Sequence, residues 1–426
     1  MIIVDTALAK RDAEGRPIRV GVIGAGYMGR GLVITIVQSI TGMMASAVYN
    51  RTLSTAATAY EQAGLASPEH ATSVTEVEAG IDAGRPVITD DPMLICEAGN
   101  IDCIVESTGE VEFGAQVALR AIEHGKHVVL LNAELDAVVG PILKQYADRQ
   151  GVTITNCDGD QPGVVMNLYR WVKSIGYDPL MCGNIKGLQD NYRTPATQKA
   201  FADRVKQKPK MITSFADGTK ISMEMAVVAN ATGFGVGTRG MYGPRCGHVT
   251  EAPDLFDLDE LRQGGMVDYI LGAEPGPGVF VLGYNENPIL QQYASYLKMG
   301  DGPLYTFYVP YHLPHLETPL TVARAVLFED AAATPLAGPV ADVLTVAKTD
   351  LRAGDTLDGI GGFHCFGSID NYAASTTQNA LPMSLSEGCV LRRDIAKDTV
   401  ISYADVTVPD GRVVDRLRQE QIGAFD

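Results

Sequence analysis

The stretch Ile18 to Gly31, IRVGVIGAGYMGRG, decides the fold. Ile18, Val20, Val22 and Ile23 make a short β-branched run that suits a parallel strand covered on both faces. Gly24, Gly26 and Gly29 then supply G-x-G-x-x-G. The first glycine permits a tight turn, the second lets the backbone approach a pyrophosphate, and the third lets a new helix pack closely on the strand. A helix is predicted from about Met28 to Ile40, with its free N-terminal amides turned to the anion. Tyr27 and Met28 flank that turn and join the three glycines as candidate cofactor contacts.

A lone G-x-G-x-x-G is weak, so the following residues have to decide. A second strand, Ala45 to Tyr49, ends in Asn50-Arg51, where an NAD-preferring protein carries an acidic residue against the ribose hydroxyls. Arg51 suits a 2′-phosphate instead, so NADPH rather than NADH is the expected cofactor. Further strands are predicted at 87–89, 101–106, 127–131 and 152–156, alternating with helices at 54–62, 92–98, 114–124 and 140–149. Such alternation makes a right-handed parallel sheet the economical topology. Thr108-Gly109 and then Asn132 and Glu134 fall at carboxyl ends of strands, where the nicotinamide half of a cofactor would lie. The segment from 63 to about 85 reads as an insertion without a nameable role.

A chain of 426 residues, 46% of them hydrophobic, has material for two to four domains. Its net charge of −17 and pI near 4.8 argue against nucleic-acid and anionic-membrane partners, which need a basic surface. The partner expected is a small molecule, and an anionic one would need a local basic pocket. Seven cysteines without C-x-x-C or regular spacing point to free thiols in a reducing cytoplasm, not to disulfides or structural zinc. No apolar run reaches membrane-spanning length, and the first fifteen residues lack a signal-peptide core, so a soluble cytoplasmic protein is expected.

Beyond Asp158-Gly159-Asp160 a helix is predicted over 163–175 and a strand over 180–187. Tyr192 to Lys210, with Lys199, Arg204, Lys206, Lys208 and Lys210, reads either as a helix beside the site or as a solvated face. A helix over 222–231 and hairpin-like strands at 279–284 and 304–309 follow. A helix over 315–328 is expected to return and brace the nucleotide domain. Residues 340–408 read as a separate β module, because Lys348-Thr349-Asp350-Leu351-Arg352-Ala353-Gly354-Asp355 is echoed by Leu391-Arg392-Arg393-Asp394-Ile395-Ala396-Lys397-Asp398.

These residues carry a resemblance over nearly the whole chain. Glu224-Met225-Ala226, Ala229-Asn230-Ala231-Thr232-Gly233, Tyr242-Gly243-Pro244-Arg245, Gly302-Pro303, Pro310-Tyr311-His312-Leu313 and Leu316-Glu317-Thr318-Pro319-Leu320 resemble the DXR-like reductoisomerases. Those proteins are related to homoserine dehydrogenase and convert 1-deoxy-D-xylulose 5-phosphate to methylerythritol phosphate. The C-terminal echo is similar to the SAF domain. The resemblance implies an α/β chain with an N-terminal Rossmann domain (1–160) braced by helix 315–328. It adds a central α+β substrate and oligomerisation domain (161–335) and a small β-rich SAF-like domain (336–426). A homo-oligomer, dimer or tetramer, is expected. Two departures touch the substrate pocket: a family loop with two lysines keeps only Lys186, and a His-Gly-Pro-Arg becomes Tyr242-Gly243-Pro244-Arg245.

On this resemblance Lys186 is the candidate for stabilising a developing alkoxide or donating a proton. Arg245, in a glycine-proline turn, suits bidentate capture of phosphate or carboxylate. Asn230 and His312 would orient hydroxyls, His312 also as acid or base, with Tyr242, Tyr311 and Asp160 lining the substrate. A divalent metal stays open. His312-x-x-His315 is interrupted by Leu-Pro, and Asp158 with Asp160 would serve either as metal ligands or as helix caps. Three functions follow: a reductase or reductoisomerase on a sugar phosphate, a homoserine dehydrogenase-like semialdehyde reductase, or a cofactor-holding sensor.

Overall fold

The computed structural model describes residues 3–425, which fall into two compact units. Met1, Ile2 and Asp426, the outermost residues of the expected first and last domains, lie outside the described residues. The first unit runs through Gly163 and takes in Leu313–Thr334 and Arg416–Ala424. The second comprises Val164–His312 and Pro335–Asp415.

The first unit is built on a parallel sheet of seven strands: β1 (Ile18–Ile23), β2 (Met43–Tyr49), β3 (Glu69–His70), β4 (Val87–Thr89), β5 (Cys103–Glu106), β6 (His127–Leu130) and β7 (Ile154–Asn156). Their order is β3-β4-β2-β1-β5-β6-β7. Strand order therefore reverses at β1, which pairs with β2 on one side and β5 on the other. The register sets Ile23 level with both Tyr49 and Glu106, so the residues after these three strands emerge together at one edge of the sheet. In open α/β sheets that edge at the reversal is where ligands bind. The unread insertion supplies β3 and the helix Val74–Asp82, which begins at a Ser73 cap.

β1 is almost wholly buried, as a strand covered on both faces should be. The helix Tyr27–Ser39 lays Leu32, Val33 and Ile36 into the core, and the helix Pro314–Phe328 adds Val322 and Ala323 to it. The helix expected from residue 140 begins at Ala133 and runs to Gln150, straight through Pro141. The C-terminal helix docks on that turn: the Gln421 amide accepts from Ile142 N and donates to Val138 O, at 3.2 and 3.1 Å. Proline removes a helical hydrogen bond, and the docked amide satisfies backbone groups beside it.

In the second unit β8 (Asp178–Lys186), β9 (Met266–Leu271), β10 (Gly278–Tyr284) and β11 (Leu304–Val309) form a mixed sheet in the order β11-β10-β8-β9. β8 is parallel to β9 and antiparallel to β10. The polar stretch from Tyr192 resolves into two helices, Pro195–Val205 and Pro209–Ala216. A further antiparallel pair is β12 (Ala341–Ala347) with β13 (Cys365–Asn371).

The stretch 336–426, expected as a domain of its own, is divided: Pro335–Asp415 belong to this second unit and Arg416–Ala424 to the first. The cause of the former is the helix Thr219–Thr232, which is buried nearly all round and so needs partners on every side, polar ones included. β12 and β13 supply part of that cover: Gly367 N donates to Thr219 Oγ1 at 2.8 Å, and Asn230 Oδ1 accepts from Val340 N and Ala341 N at 2.8 and 3.1 Å. The two echoed segments pair with each other, Leu351 and Ile395 exchanging backbone hydrogen bonds while Arg352 meets Asp394 at 2.9 Å.

Candidate functional site

Gly24 and Gly29 are required by different constraints within the first turn, while Gly26 leaves it open. Gly24 has φ +105°, in the region that favours glycine. A side chain at Gly26 would meet nothing within 4 Å, so the backbone there faces open space at the start of a helix. A Cβ at Gly29 would sit 1.9 Å from the Gly24 carbonyl oxygen, so the helix can lie this close only with glycine. The turn is tied to β2, since Ala25 N donates to Asn50 Oδ1 at 3.3 Å. It is also tied to β5, where Ser107 Oγ lies 3.0 Å from the carbonyls of Ile23 and Gly24. Tyr27 and Met28 are exposed beside it. Arg51 is exposed at the end of β2, and among the described residues it has no ion-pair or hydrogen-bond partner. A pyrophosphate would find open backbone at Gly26 and helix N–H groups behind it, so the residues present fit a dinucleotide.

The ends of β5 and β6 are joined by a carboxylate that the sequence did not single out. Glu106 is fully buried, accepts from Thr108 N at 2.8 Å and from the Thr108 hydroxyl, and accepts from Asn132 Nδ2 at 2.8 Å. Burial pushes its carboxyl up against those hydrogen bonds. Asn132 also caps the helix after β6 by accepting from Leu135 N. Thr108 and Asn132 are thus held by Glu106, Gly109 takes a positive φ of 73°, and Glu134 is half-buried in the first turn of the next helix.

Asp158 is committed elsewhere. It is buried, receives Arg324 Nη1 and the Thr321 hydroxyl at 2.8 and 2.9 Å, and so joins helix Pro314–Phe328 to the sheet. Asp160 is half-buried and immediately precedes the helix Gln161–Ser174. His315 packs edge-on to Tyr27 with ring centroids 6.2 Å apart, and its ring fills the space a Cβ on Gly31 would need. Burial holds its pKa below the usual histidine range. Among the described residues no group of three or more His, Cys, Asp or Glu is placed to hold a metal. Tyr311 is exposed and His312 half-buried in the stretch before the helix.

In the second unit Lys186 closes β8, half-buried, and donates from Nζ to the Phe215 carbonyl at 3.0 Å. Burial pushes its ammonium below the usual lysine range; the carboxylates of Glu224 and Asp217 oppose this and Lys220 reinforces it. Asn230, expected to orient a substrate hydroxyl, is buried with its side-chain oxygen holding the start of β12, which makes it an internal anchor. Arg245 is exposed and without an ion pair among the described residues, on a turn fixed from β9: the Asp268 carboxylate accepts from Tyr242 N and Gly243 N at 2.8 and 2.9 Å. Burial pushes Asp268 up to about 6. The exposed Tyr242 donates its hydroxyl to Glu260 at 2.8 Å.

Sequence reasoning therefore missed Asp217, Lys220 and Asp268, and took Glu106 only as a strand end and Glu224 only as part of a motif. One signal was available: Asp217-Gly218-Thr219 is a turn-and-cap sequence before an apolar run, with Thr219 N donating to Asp217 Oδ1 at 2.9 Å.

Residues 159–318 match the family model described as oxidoreductase DRL, catalytic domain. A comparison with curated proteins gave no match. Among solved structures, a probable dehydrogenase from Thermotoga maritima is 12% identical with a TM-score of 0.39, over 68% of this chain and 75% of that one. 1-deoxy-D-xylulose 5-phosphate reductoisomerase from Zymomonas mobilis, in complex with NADPH, is 17% identical with a TM-score of 0.35, over 50% and 57%. An NAD-binding oxidoreductase from Klebsiella pneumoniae is 16% identical with a TM-score of 0.30, over 42% and 45%, so the chain spans less than half of that protein's length. These likenesses carry no chemistry over to this chain. The catalytic-domain match covers 159–318, and the first unit carries a parallel sheet whose strand order reverses at β1.

Proposed function

We propose that this chain is an NADPH-dependent oxidoreductase or reductoisomerase acting on a sugar phosphate or a related polyhydroxy carbonyl compound. The observation that carries the reading is the ammonium of Lys186 at the end of β8, half-buried and held 3.0 Å from the Phe215 carbonyl, with burial pushing its pKa below the usual lysine range. The turn at Gly24, Gly26 and Gly29 would hold the pyrophosphate, Arg51 the 2′-phosphate, and Thr108, Gly109, Asn132 and Glu134 the nicotinamide half. A bound nicotinamide supplies the hydride. Lys186 then stabilises or protonates the oxygen on which charge develops, and Arg245 captures an anionic group of the substrate. Tyr242, Tyr311, His312 and Asp160 are the further substrate contacts in this reading, with His312 able to move a proton near neutral pH.

Steady-state NADPH oxidation across a panel of phosphorylated and unphosphorylated carbonyl compounds tests the assignment. Arg245→Ala should mainly raise KM for an anionic substrate, a loss of roughly 2 to 4 kcal/mol. Lys186→Ala should mainly lower kcat while binding survives. Wild-type kinetics in both variants would remove the pocket from the mechanism.

A further inference from the structure

The second unit contains a buried ion pair that the functional reading above does not use. Lys348, at the end of β12, is buried and its ammonium has three partners: the Asp217 carboxylate at 2.7 Å and the carbonyls of Arg193 and Gly362, both at 2.8 Å. Asp217 is fully buried and sits in the turn between the helices Pro209–Ala216 and Thr219–Thr232. The last turn of the helix before it supplies the Phe215 carbonyl that receives Lys186. The turn at Asp217 is tightly built, with Gly218 at φ +89° and Asp217 Oδ1 holding Thr219 N.

We propose that Lys348 is a positioning residue for Lys186, acting through Asp217 and the turn 215–219. A buried carboxylate keeps its charge only when paired and hydrogen-bonded. Lys348 supplies that pairing, and it does so from the end of β12, so a stretch expected to form a separate module contributes to the surroundings of Lys186. Asp217 is one of the two carboxylates whose charge favours the Lys186 ammonium. Loss of Lys348 leaves Asp217 buried without its cation, and the group takes up a proton instead of standing as an unpaired charge. Lys186 then loses a counter-charge and releases its own proton more readily. The other groups in this network are Lys220 and Glu224 on the helix Thr219–Thr232, and Asp358 and Cys365 beside Lys348.

The proposal rests on the role given to Lys186, but its test does not need turnover. Trace acetylation of the full-length protein across pH, read by mass spectrometry at Lys186, gives the titration midpoint of that amine directly. Lys348→Met and Asp217→Asn should both move the midpoint down, by about half a pH unit or more, and Lys348→Arg should stay near wild type. An unchanged midpoint in Asp217→Asn, or Lys348→Arg moving as far as Lys348→Met, overturns it. Should Lys348→Met fail to fold by circular dichroism, Asp217→Asn, which keeps the side-chain shape, decides alone. If the midpoint shifts while Lys186→Ala turns over normally, the pair stands and the catalytic role of Lys186 falls. If the midpoint stays while Lys186→Ala loses kcat, the reverse holds.

Discussion

At the scale of single residues, burial decides more than identity. Asp136 is buried, with Asn156 donating to it at 3.4 Å, and one of its oxygens occupies the space that a Cβ on Gly140 would need. Burial pushes its carboxyl up to about 7. A carboxyl whose pKa is raised by folding contributes stability that is full below its unfolded value, near 4, and is lost as pH rises through the folded value. Asp136→Asn removes that loss, so the variant should gain on wild type between pH 5 and pH 8 by roughly 2 to 4 kcal/mol. Urea unfolding midpoints at the two pH values measure it, and an equal difference at both would show that Asp136 ionises normally. Gly24, Gly26 and Gly29 were readable from sequence because their constraints are local to one turn. Glu106 was not, because its partners Thr108 and Asn132 come from the ends of two strands that only the sheet brings together.

At the scale of elements, the turn carrying Arg245 depends on β9, and β9 was not legible. MVDYIL has an acidic residue in its middle, which argues against a buried strand, yet Asp268 is buried there to receive the N–H groups of Tyr242, Gly243 and Tyr269. β13, CFGSIDN, hid for a similar reason, with glycine, serine and aspartate in a strand that packs on the helix Thr219–Thr232. Except for β3 in the unread insertion, the strands of the first sheet, apolar and bounded by turns, were read nearly to their ends. Since Asp268 is pushed up to about 6, lowering the pH through 6 adds a proton and weakens its hold on the Tyr242–Gly243 backbone. KM for an anionic substrate should therefore rise several-fold (roughly threefold or more) between pH 7.5 and pH 5.5 in the wild type. Asp268→Asn should show a raised KM at both values. A wild-type KM that is flat across this range would detach Asp268 from the Arg245 turn.

At the scale of the whole molecule, the chain weaves between two units, and sequence reading recovers continuous domains more readily than woven ones. Helix Pro314–Phe328 was legible as a returning element because its apolar positions keep helical spacing. The last helix was not, since its contribution to the first unit is polar: Arg418 and Gln421 reach the backbone around Pro141. Residues 335–415 read as a module because their echo is internal, whereas their attachment runs through Asn230, Thr219 and Asp217, polar residues in or beside an apolar helix. What the first unit must do, if this chain is an NADPH-dependent oxidoreductase, is hold the cofactor at the Gly24–Gly29 turn. Calorimetric titration of NADPH and NADH into wild type, Gly26→Val and Arg51→Ala tests this most directly. NADPH should bind wild type more tightly than NADH, Arg51→Ala should erase the preference, and Gly26→Val should abolish binding while circular dichroism stays unchanged, because its side chain enters open space where the pyrophosphate would lie. Wild type that binds neither nucleotide, or Gly26→Val that retains NADPH affinity, would contradict it.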